Sequence, residues 1–358
     1  MFDINLLPKT FLGANAAGGF CSHFSDCYDP DDGWTAYIIK GGPGTGKSSL
    51  MKQVSALFAE TGERVELCPC SSDPDSLDGV VLHSRKTVLL DGTSPHVVEP
   101  RFPGVCERII NLGDCWDAAA FLGRESEVLR LTRLNKKLHA EASRYITAAG
   151  TLLDERYQKG RDACNEGRVL EYAERLVGRV VSRENGGKEH LRFLGGITPK
   201  GAVFLKNTIT KLCDTVLCVC DEWGAVSDLF MKTVRASVAE RGCEAFICFD
   251  SVCPDRIAHI LIPSQRLAFC TEGMLSHPDG ITRRIHARRF YAPCLSSRQY
   301  AFELEAAEQL LREAVRLVSE AKKTHDLLEE HYINAMDFAA VGERCRKVVE
   351  EIKAIPII

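Results

Sequence analysis

The chain has 358 residues, 45% hydrophobic and 26% charged, with a formal net charge of −4. That balance fits one or two ordinary globular domains and offers no overall basic surface for nucleic acid or an anionic membrane. No apolar run reaches the roughly 20 residues that span a bilayer, and the opening MFDINLLPKT lacks the basic start and long apolar stretch of a secretory signal, so a cytoplasmic protein is expected.

In chain order, Phe11 to Phe24 (FLGANAAGGFCSHF) is glycine-rich and reads as a turn and entry element, and DPDDG at 29–33 reads as a surface turn. Ala36, Tyr37, Ile38 and Ile39 form a short apolar run, as in a buried parallel strand. It leads into Gly41-Gly42-Pro43-Gly44-Thr45-Gly46-Lys47-Ser48-Ser49, a complete P-loop. Leu50, Met51, Val54, Leu57 and Phe58 then recur at helical spacing. Strand, loop and helix in that order are the context the motif requires. Glycines let the backbone approach a phosphate closely, and the N–H groups of the loop and helix start point at the anion. Lys47 suits the β- and γ-phosphates of ATP, and the Ser48 hydroxyl suits Mg²⁺.

Arg64 to Cys70 reads as a second strand, followed by the loop CSSDPDSLDG with Ser72, Asp73, Asp75 and Asp78 as turn-makers or ligands. Val80–Leu82 and Thr87–Leu90 suggest a hairpin. The second of these ends in Asp91, the carboxylate expected to complete the Mg²⁺ site with Ser48. No glutamate follows Asp91, which argues against a fast mechanical ATPase. Asp73 and Asp75 are candidate bases for a water or an acceptor hydroxyl, and His96 and Glu99 are further candidates. Beyond Trp116 the pattern turns helical, with Gly150, Gly160 and Gly167 as expected break points. The 16 cysteines lie largely in apolar runs and lack paired zinc spacing, so they read as reduced core residues.

SRENGGKEH (182–190) reads as a linker, and the chain beyond it repeats the chain before it. At a shift of 180, Met51-Lys52 falls on Met231-Lys232, Val54 on Val234, Cys68 on Cys248, and Pro74-Asp75 on Pro254-Asp255. LLDERY (152–157) resembles LLEEHY (327–332). The expected organisation is α/β, with two P-loop-like lobes over 1–182 and 183–358, each carrying an α-helical hairpin. Asp221-Glu222-Trp223-Gly224-Ala225-Val226-Ser227-Asp228 stands where the second P-loop belongs, and its carboxylates are expected to repel a triphosphate. Arg283, Arg284, Arg288 and Arg289 could supply a cationic finger in cis, bind an acidic partner or nucleic acid, or simply be solvated.

KGGPGTGKSSLM, CSSDPDSLDGV, DGTSPH and INLGDCWD together resemble a group of uncharacterised bacterial tandem P-loop ATPases. The resemblance implies ATP binding through Gly41–Ser49 and Asp91, and it supplies no substrate. In that group the second lobe carries its own glycine-rich loop, so DEWGAVSD is a departure that puts any two-site mechanism in doubt. Three readings stay open: a slow Mg²⁺-dependent ATPase acting as a switch, a small-molecule kinase with Asp73 or Asp75 as base and the acceptor held by DGTSPH, and a non-catalytic nucleotide-sensing scaffold. ATP is the default nucleotide, since no N/T-K-x-D guanine motif is found. A protein partner would be met through the helices, and a nucleic-acid partner is not expected.

Overall fold

The structure is a computed structural model in which residues 2–94, 96–293 and 297–357 are described, without the side chains of 297–300. It is a mixed α/β protein built on two central sheets. The first half opens with a hairpin of β1 (Gly13–Ala16) and β2 (Gly19–Ser22), then β3 (Thr35–Lys40) and α1 (Lys47–Glu60). It continues through β4 (Val65–Pro69), β5 (Leu77–Leu82), β6 (Thr87–Asp91) and β7 (Glu107–Asn111) to α2 (Glu125–Ala163) and α3 (Glu166–Val180). The second half holds β8 (Glu189–Phe193), a hairpin of β9 (Gly195–Thr198) and β10 (Gly201–Phe204), α4 (Lys206–Leu212), β11 (Thr215–Cys220) and α5 (Ala225–Glu240). Then come β12 (Ala245–Phe249), β13 (Ile257–Ile262), β14 (Leu267–Glu272), β15 (Arg283–His286), α6 (Ser297–Ile333) and α7 (Phe338–Lys353).

The first sheet runs β4-β5-β6-β3-β7 and the second β8-β12-β13-β14-β11-β15. In each, the strand that precedes the loop lies between two parallel neighbours: β6 and β7 for β3, β14 and β15 for β11. Of the other pairs, β4/β5, β5/β6, β12/β13 and β13/β14 are antiparallel and β8/β12 is parallel. A detail of backbone conformation agrees as well. Lys86 (φ 44°) turns the β5–β6 hairpin and Arg266 (φ 50°) turns the β13–β14 hairpin. β3 is central because Ala36 to Ile39 are buried on both faces, and α1 covers the sheet with Leu50, Met51, Val54 and Phe58, spaced to share one stripe.

The helices do not stay with the half that encodes them. Val169, Ala173, Leu176 and Val177 of α3 are buried in the core of the second sheet, with Phe230 and Phe269. Val341, Cys345, Val348 and Ile352 of α7 are buried in the core of the first, with Tyr37 and Met51. The appended hairpins are thus shared: α2 and α6 bridge the halves, and each hands its last helix to the opposite sheet. Lys159 pairs with Glu303 and Asn135 meets His325, so α2 and α6 run antiparallel. Ala307, Leu311, Ala314, Val318 and Ala321 alternate by four and three along their seam, a coiled-coil spacing.

Gly150 and Gly160 do not break α2, contrary to the sequence-based expectation. A Cβ at Gly150 would come 2.8 Å from Ala17 Cβ, and one at Gly160 would come 2.8 Å from Trp223 Cβ. Both glycines sit where the helix presses on another segment, and that packing outweighs the roughly 1 kcal/mol that glycine costs a helix. Among the described residues no helix is long and apolar enough to cross a membrane.

Candidate functional site

The loop between β3 and α1 lies at the carboxyl end of the central strand, between β6 and β7. That edge is where parallel α/β sheets bind ligands. Gly44 (φ 66°) and Gly46 (φ 92°) take the left-handed backbone that turns the chain over the helix start. The first helical bond of α1 runs from Leu50 N–H to Gly46 O. The amides before Leu50 therefore have no intrahelical acceptor, and the helix offers an anion its free N–H groups. Thr45 is buried and its Oγ1 donates to Gly42 O at 2.9 Å, which braces the loop.

Lys47 Nζ donates to Gly42 O at 2.7 Å and to Gly41 O at 3.3 Å, and stands 3.6 Å from Asp91 Oδ2. The lysine therefore lies along the loop with its charge turned to the carboxylate expected from the sequence. Asp91 is buried, and its Oδ1 accepts from Thr93 N at 2.9 Å and from Thr93 Oγ1 at 2.5 Å. Ser48 Oγ accepts from Leu77 N at 3.0 Å. Leu77 precedes Asp78, and Asp78 lies beside Asp91, so the β5 start ties Ser48 to the acidic end of β6. Ser48 and Asp91 offer oxygen atoms, the donor type that Mg²⁺ takes. Pro43 and Ser49 complete the loop, with Ser49 exposed.

A further layer belongs to the opposite half of the chain. The end of α6 sits on the loop: a Cβ at Gly42 would strike the Tyr332 ring at 2.6 Å, and one at Gly44 would come 2.8 Å from Ile333. Gly44 N–H donates to Glu329 Oε1 at 3.2 Å. His325 Nε2 is 3.5 Å from the same carboxylate and holds it below its usual value. Tyr332 also packs against Trp116 and Phe121, with ring centroids 5.7 and 5.1 Å away. The loop is therefore roofed by a helix whose own carboxylate takes one of the N–H donors.

Asp73 and Asp75 are held away from free-base roles by lysines. Asp73 Oδ2 accepts from Ser76 Oγ at 2.9 Å and lies 3.5 Å from Lys322 of α6. Asp75 is exposed and pairs with Lys200 at 2.6 Å, which holds its carboxyl below the usual value. Glu99 is exposed and pairs with Lys40 at 2.7 Å. Of the acceptor segment DGTSPH, Pro95 lies outside the described residues. Its histidine joins a buried cluster with Asp78 and Asp91, one ligand atom from each lying within 4.8 Å of the others. Burial pushes the Asp78 carboxyl up to about 6, against the opposing pull of His96 and Lys47.

The arginine cluster stays on the second sheet. Arg284 pairs with Glu272, Arg283 Nη2 donates to Tyr172 OH at 3.2 Å, and Arg289 stacks on Tyr172. None of these three contacts reaches the loop between β3 and α1. Lys322 is the cation that α6 brings to this side. Among the candidate metal-binding cysteines, burial pushes the Cys218 thiol up to about 12 and the Cys68 thiol well above its ordinary value.

The second loop closes itself. α5 starts at Ala225, two residues ahead of the position that corresponds to the start of α1, so part of the loop is wound into helix. Asp221 Oδ2 accepts from Ser227 N at 2.8 Å, and Oδ1 from Trp223 N at 3.0 Å and Tyr291 OH at 2.8 Å. Tyr291 OH in turn accepts from Val226 N at 3.1 Å. The expected repulsion takes a more specific form: a carboxylate of the chain itself occupies the amides that would meet a phosphate. Asp228 accepts from Tyr157 OH and Lys232 Nζ, each at 2.8 Å.

Glu329, Tyr332 and Lys322 were not among the candidates named from the sequence, whereas Asp78 was named there as a turn-maker or ligand. Asp78 carried a signal, as the last carboxylate of an acidic loop, and the structure places it within β5. The α6 residues carried none, because the contact spans 285 residues of chain. No protein-family model, curated protein or solved structure matches the chain, so the reading of the site rests on its own residues and geometry.

Proposed function

We propose that the chain binds Mg²⁺–ATP in the loop Gly41–Ser49, hydrolyses it slowly, and uses occupancy of the loop to move α6 and with it the second half. In this reading the two halves are P-loop-like units that arose by duplication, and the second has given up its nucleotide site. The matched strand orders and the paired Lys86 and Arg266 turns support the duplication. The resemblance to tandem P-loop ATPases rests on the quoted motifs, and a cytoplasmic location follows from the same reading.

The observation that carries the proposal is the position of the Lys47 ammonium, held by the carbonyls of Gly41 and Gly42 and 3.6 Å from Asp91. A lysine in that position needs only side-chain rotation to leave the loop carbonyls for phosphate oxygens. Ser48 and Asp91 would hold Mg²⁺, which supplies charge neutralisation at the β- and γ-phosphates. Glu329 would have to yield Gly44 N–H, because its charge repels a phosphate at the same donor. Ligand binding and α6 displacement are then a single event. That favours the switch reading over the kinase reading, in which Asp73 and Asp75 would first have to leave Lys322 and Lys200.

The test is phosphate release from Mg–ATP by the full chain and by Lys47→Ala, with and without a metabolite pool. Slow release that is independent of metabolites and falls at least about 100-fold in Lys47→Ala is expected, the size of losing one charge-stabilising donor. Equal turnover by the two proteins would reject hydrolysis at this loop. Consumption of ATP only with metabolites would replace the switch with a kinase.

A further inference from the structure

Three buried side chains beside the loop form a cluster that the nucleotide reading leaves partly unused. We propose that Asp78, Asp91 and His96 form a divalent-cation site of mixed oxygen and nitrogen ligands, suited to Mn²⁺ or Zn²⁺ and able to fill without nucleotide. One ligand atom from each lies within 4.8 Å of the other two, and all three residues are more than nine-tenths buried. The register pairs Gly79 with Leu90, so Asp78 and Asp91 come side by side at the end of the β5–β6 ladder. Two carboxylates opposed across a ladder repel each other, and a shared cation removes that cost.

His96 supplies the second observation. Its ring stacks on Phe24 with centroids 4.5 Å apart and planes 4° apart, so an apolar face and not a hydrogen bond orients it. Its Nδ1 is buried with no hydrogen-bond partner among the described residues, and Nε2 stops 3.6 Å from Asp78 Oδ1, beyond hydrogen-bond reach. Buried polar nitrogens are normally satisfied; this ring is held by no bond at Nδ1 and turns Nε2 to the Asp78 carboxylate, where a cation would take it as a ligand. Lys47 is the nearby ammonium, but it already donates to Gly41 O and Gly42 O. Two carboxylates thus share one lysine that is already committed to the loop carbonyls, in a desolvated place.

The ligand types select the ion. Mg²⁺ takes oxygen ligands in a strict octahedron, whereas an imidazole nitrogen suits Zn²⁺ and is accepted by Mn²⁺. Three protein ligands leave a coordination position open. Asp91 would be common to this site and to the nucleotide's Mg²⁺, as in paired-metal centres.

The experiment uses the full chain, stripped with chelator and titrated with Mn²⁺ in the absence of nucleotide. Binding is followed by electron paramagnetic resonance, and nitrogen coupling to the bound Mn²⁺ by electron spin echo. One Mn²⁺ per chain is expected, with a nitrogen coupling that His96→Gln abolishes. His96→Gln and Asp78→Asn should each weaken Mn²⁺ at least tenfold, with Zn²⁺ competing for the same site. His96→Gln keeps the volume and polarity of the buried position, so it decides the matter even if Asp78→Asn does not fold. No saturable Mn²⁺ binding, or equal affinity in wild type and His96→Gln, would overturn the proposal. ATP binding is measured separately on the same preparation: Mn²⁺ bound without ATP binding would sink the nucleotide reading alone, and ATP binding without Mn²⁺ would sink this one alone.

Discussion

Lys47 in the first loop and Asp221 in the second, which stands where the first has Gly41, set the two loops to opposite uses. In the first loop a flexible ammonium rests on carbonyls and can be drawn away by an anion. In the second, a short carboxylate takes the amides of Trp223 and Ser227, as a capping residue does at a helix start. Asp221→Ala is expected to destabilise the chain by about 1–2 kcal/mol in urea unfolding, with no gain of nucleotide binding, because α5 has already wound the loop into helix. An unchanged unfolding midpoint would mean that the cap contributes nothing. His259 shows how burial acts on a single residue of the second sheet: it pushes the imidazole down to about 3. The unfolded chain therefore takes up a proton near pH 6.5 that the folded chain refuses. Stability contributed by the neutral ring is complete above that pH and declines as pH falls toward 3, by about 1.4 kcal/mol per pH unit. Replacing His259 with Gln should flatten that part of the stability–pH curve.

At the scale of elements, α2 and α6 test how tightly the halves are joined. Gly160→Ala puts a methyl 2.8 Å from Trp223 Cβ and 3.1 Å from Ala225 Cβ. The overpacking, about 1–3 kcal/mol, should exceed the helix-propensity gain of roughly 1 kcal/mol, and the variant should be less stable. Gly178→Ala in α3 meets only Arg241 Nη2, at 3.7 Å, and should be more stable by up to about 1 kcal/mol. Thermal unfolding of the pair reads both signs, and the same sign in both would contradict the packing argument. Glu329→Gln frees Gly44 N–H of a charged acceptor and should raise Mg–ATP affinity by about tenfold, or ~1.4 kcal/mol, measured by calorimetry; weaker binding would mean that Glu329 assists the nucleotide. The strand–loop–helix around Lys47 and the ending of β6 in Asp91 were legible in the sequence, because a motif and an apolar run are local. Gly150 and Gly160 misled because propensity is local too, while the packing that keeps them in α2 is not. The roof of Glu329 and Tyr332, and the exchange of α3 and α7, depend on contacts that no period or spacing encodes.

Across the whole molecule the halves meet through a buried ion pair. Arg192 of β8 donates from Nε to Glu66 Oε1 at 2.8 Å and from Nη2 to Oε2 at 3.1 Å, and His83 Nε2 is 3.0 Å from the same carboxylate. Burial pushes the Glu66 carboxyl up, but the guanidinium and the imidazole outweigh it and hold it well below the usual carboxylate range. Glu244, bonded to His190, is likewise held down, to about 2. Both carboxylates contribute stability that is present above the ordinary carboxylate value, near 4.3, and is lost as pH falls through their folded values. Arg192→Ala leaves the buried Glu66 with only His83 and the Thr10 hydroxyl beside it and should cost about 3–5 kcal/mol. Unfolding in urea at neutral pH measures that, and a loss below about 1 kcal/mol would show that this ion pair does not hold the halves together. Phe11 and Phe193 add paired backbone bonds of 2.8 and 2.9 Å across the same junction. In the proposed switch, movement between the halves would pivot about this junction and appear at the α6 end.

The most direct test of that account is amide hydrogen exchange on the full chain with and without Mg–ATP. Slower exchange over Gly42–Ser49, together with altered exchange at Glu329–Ile333, is the expected result, with both changes absent in Lys47→Ala. Exchange that Mg–ATP leaves unchanged at the loop and at the end of α6 would contradict it.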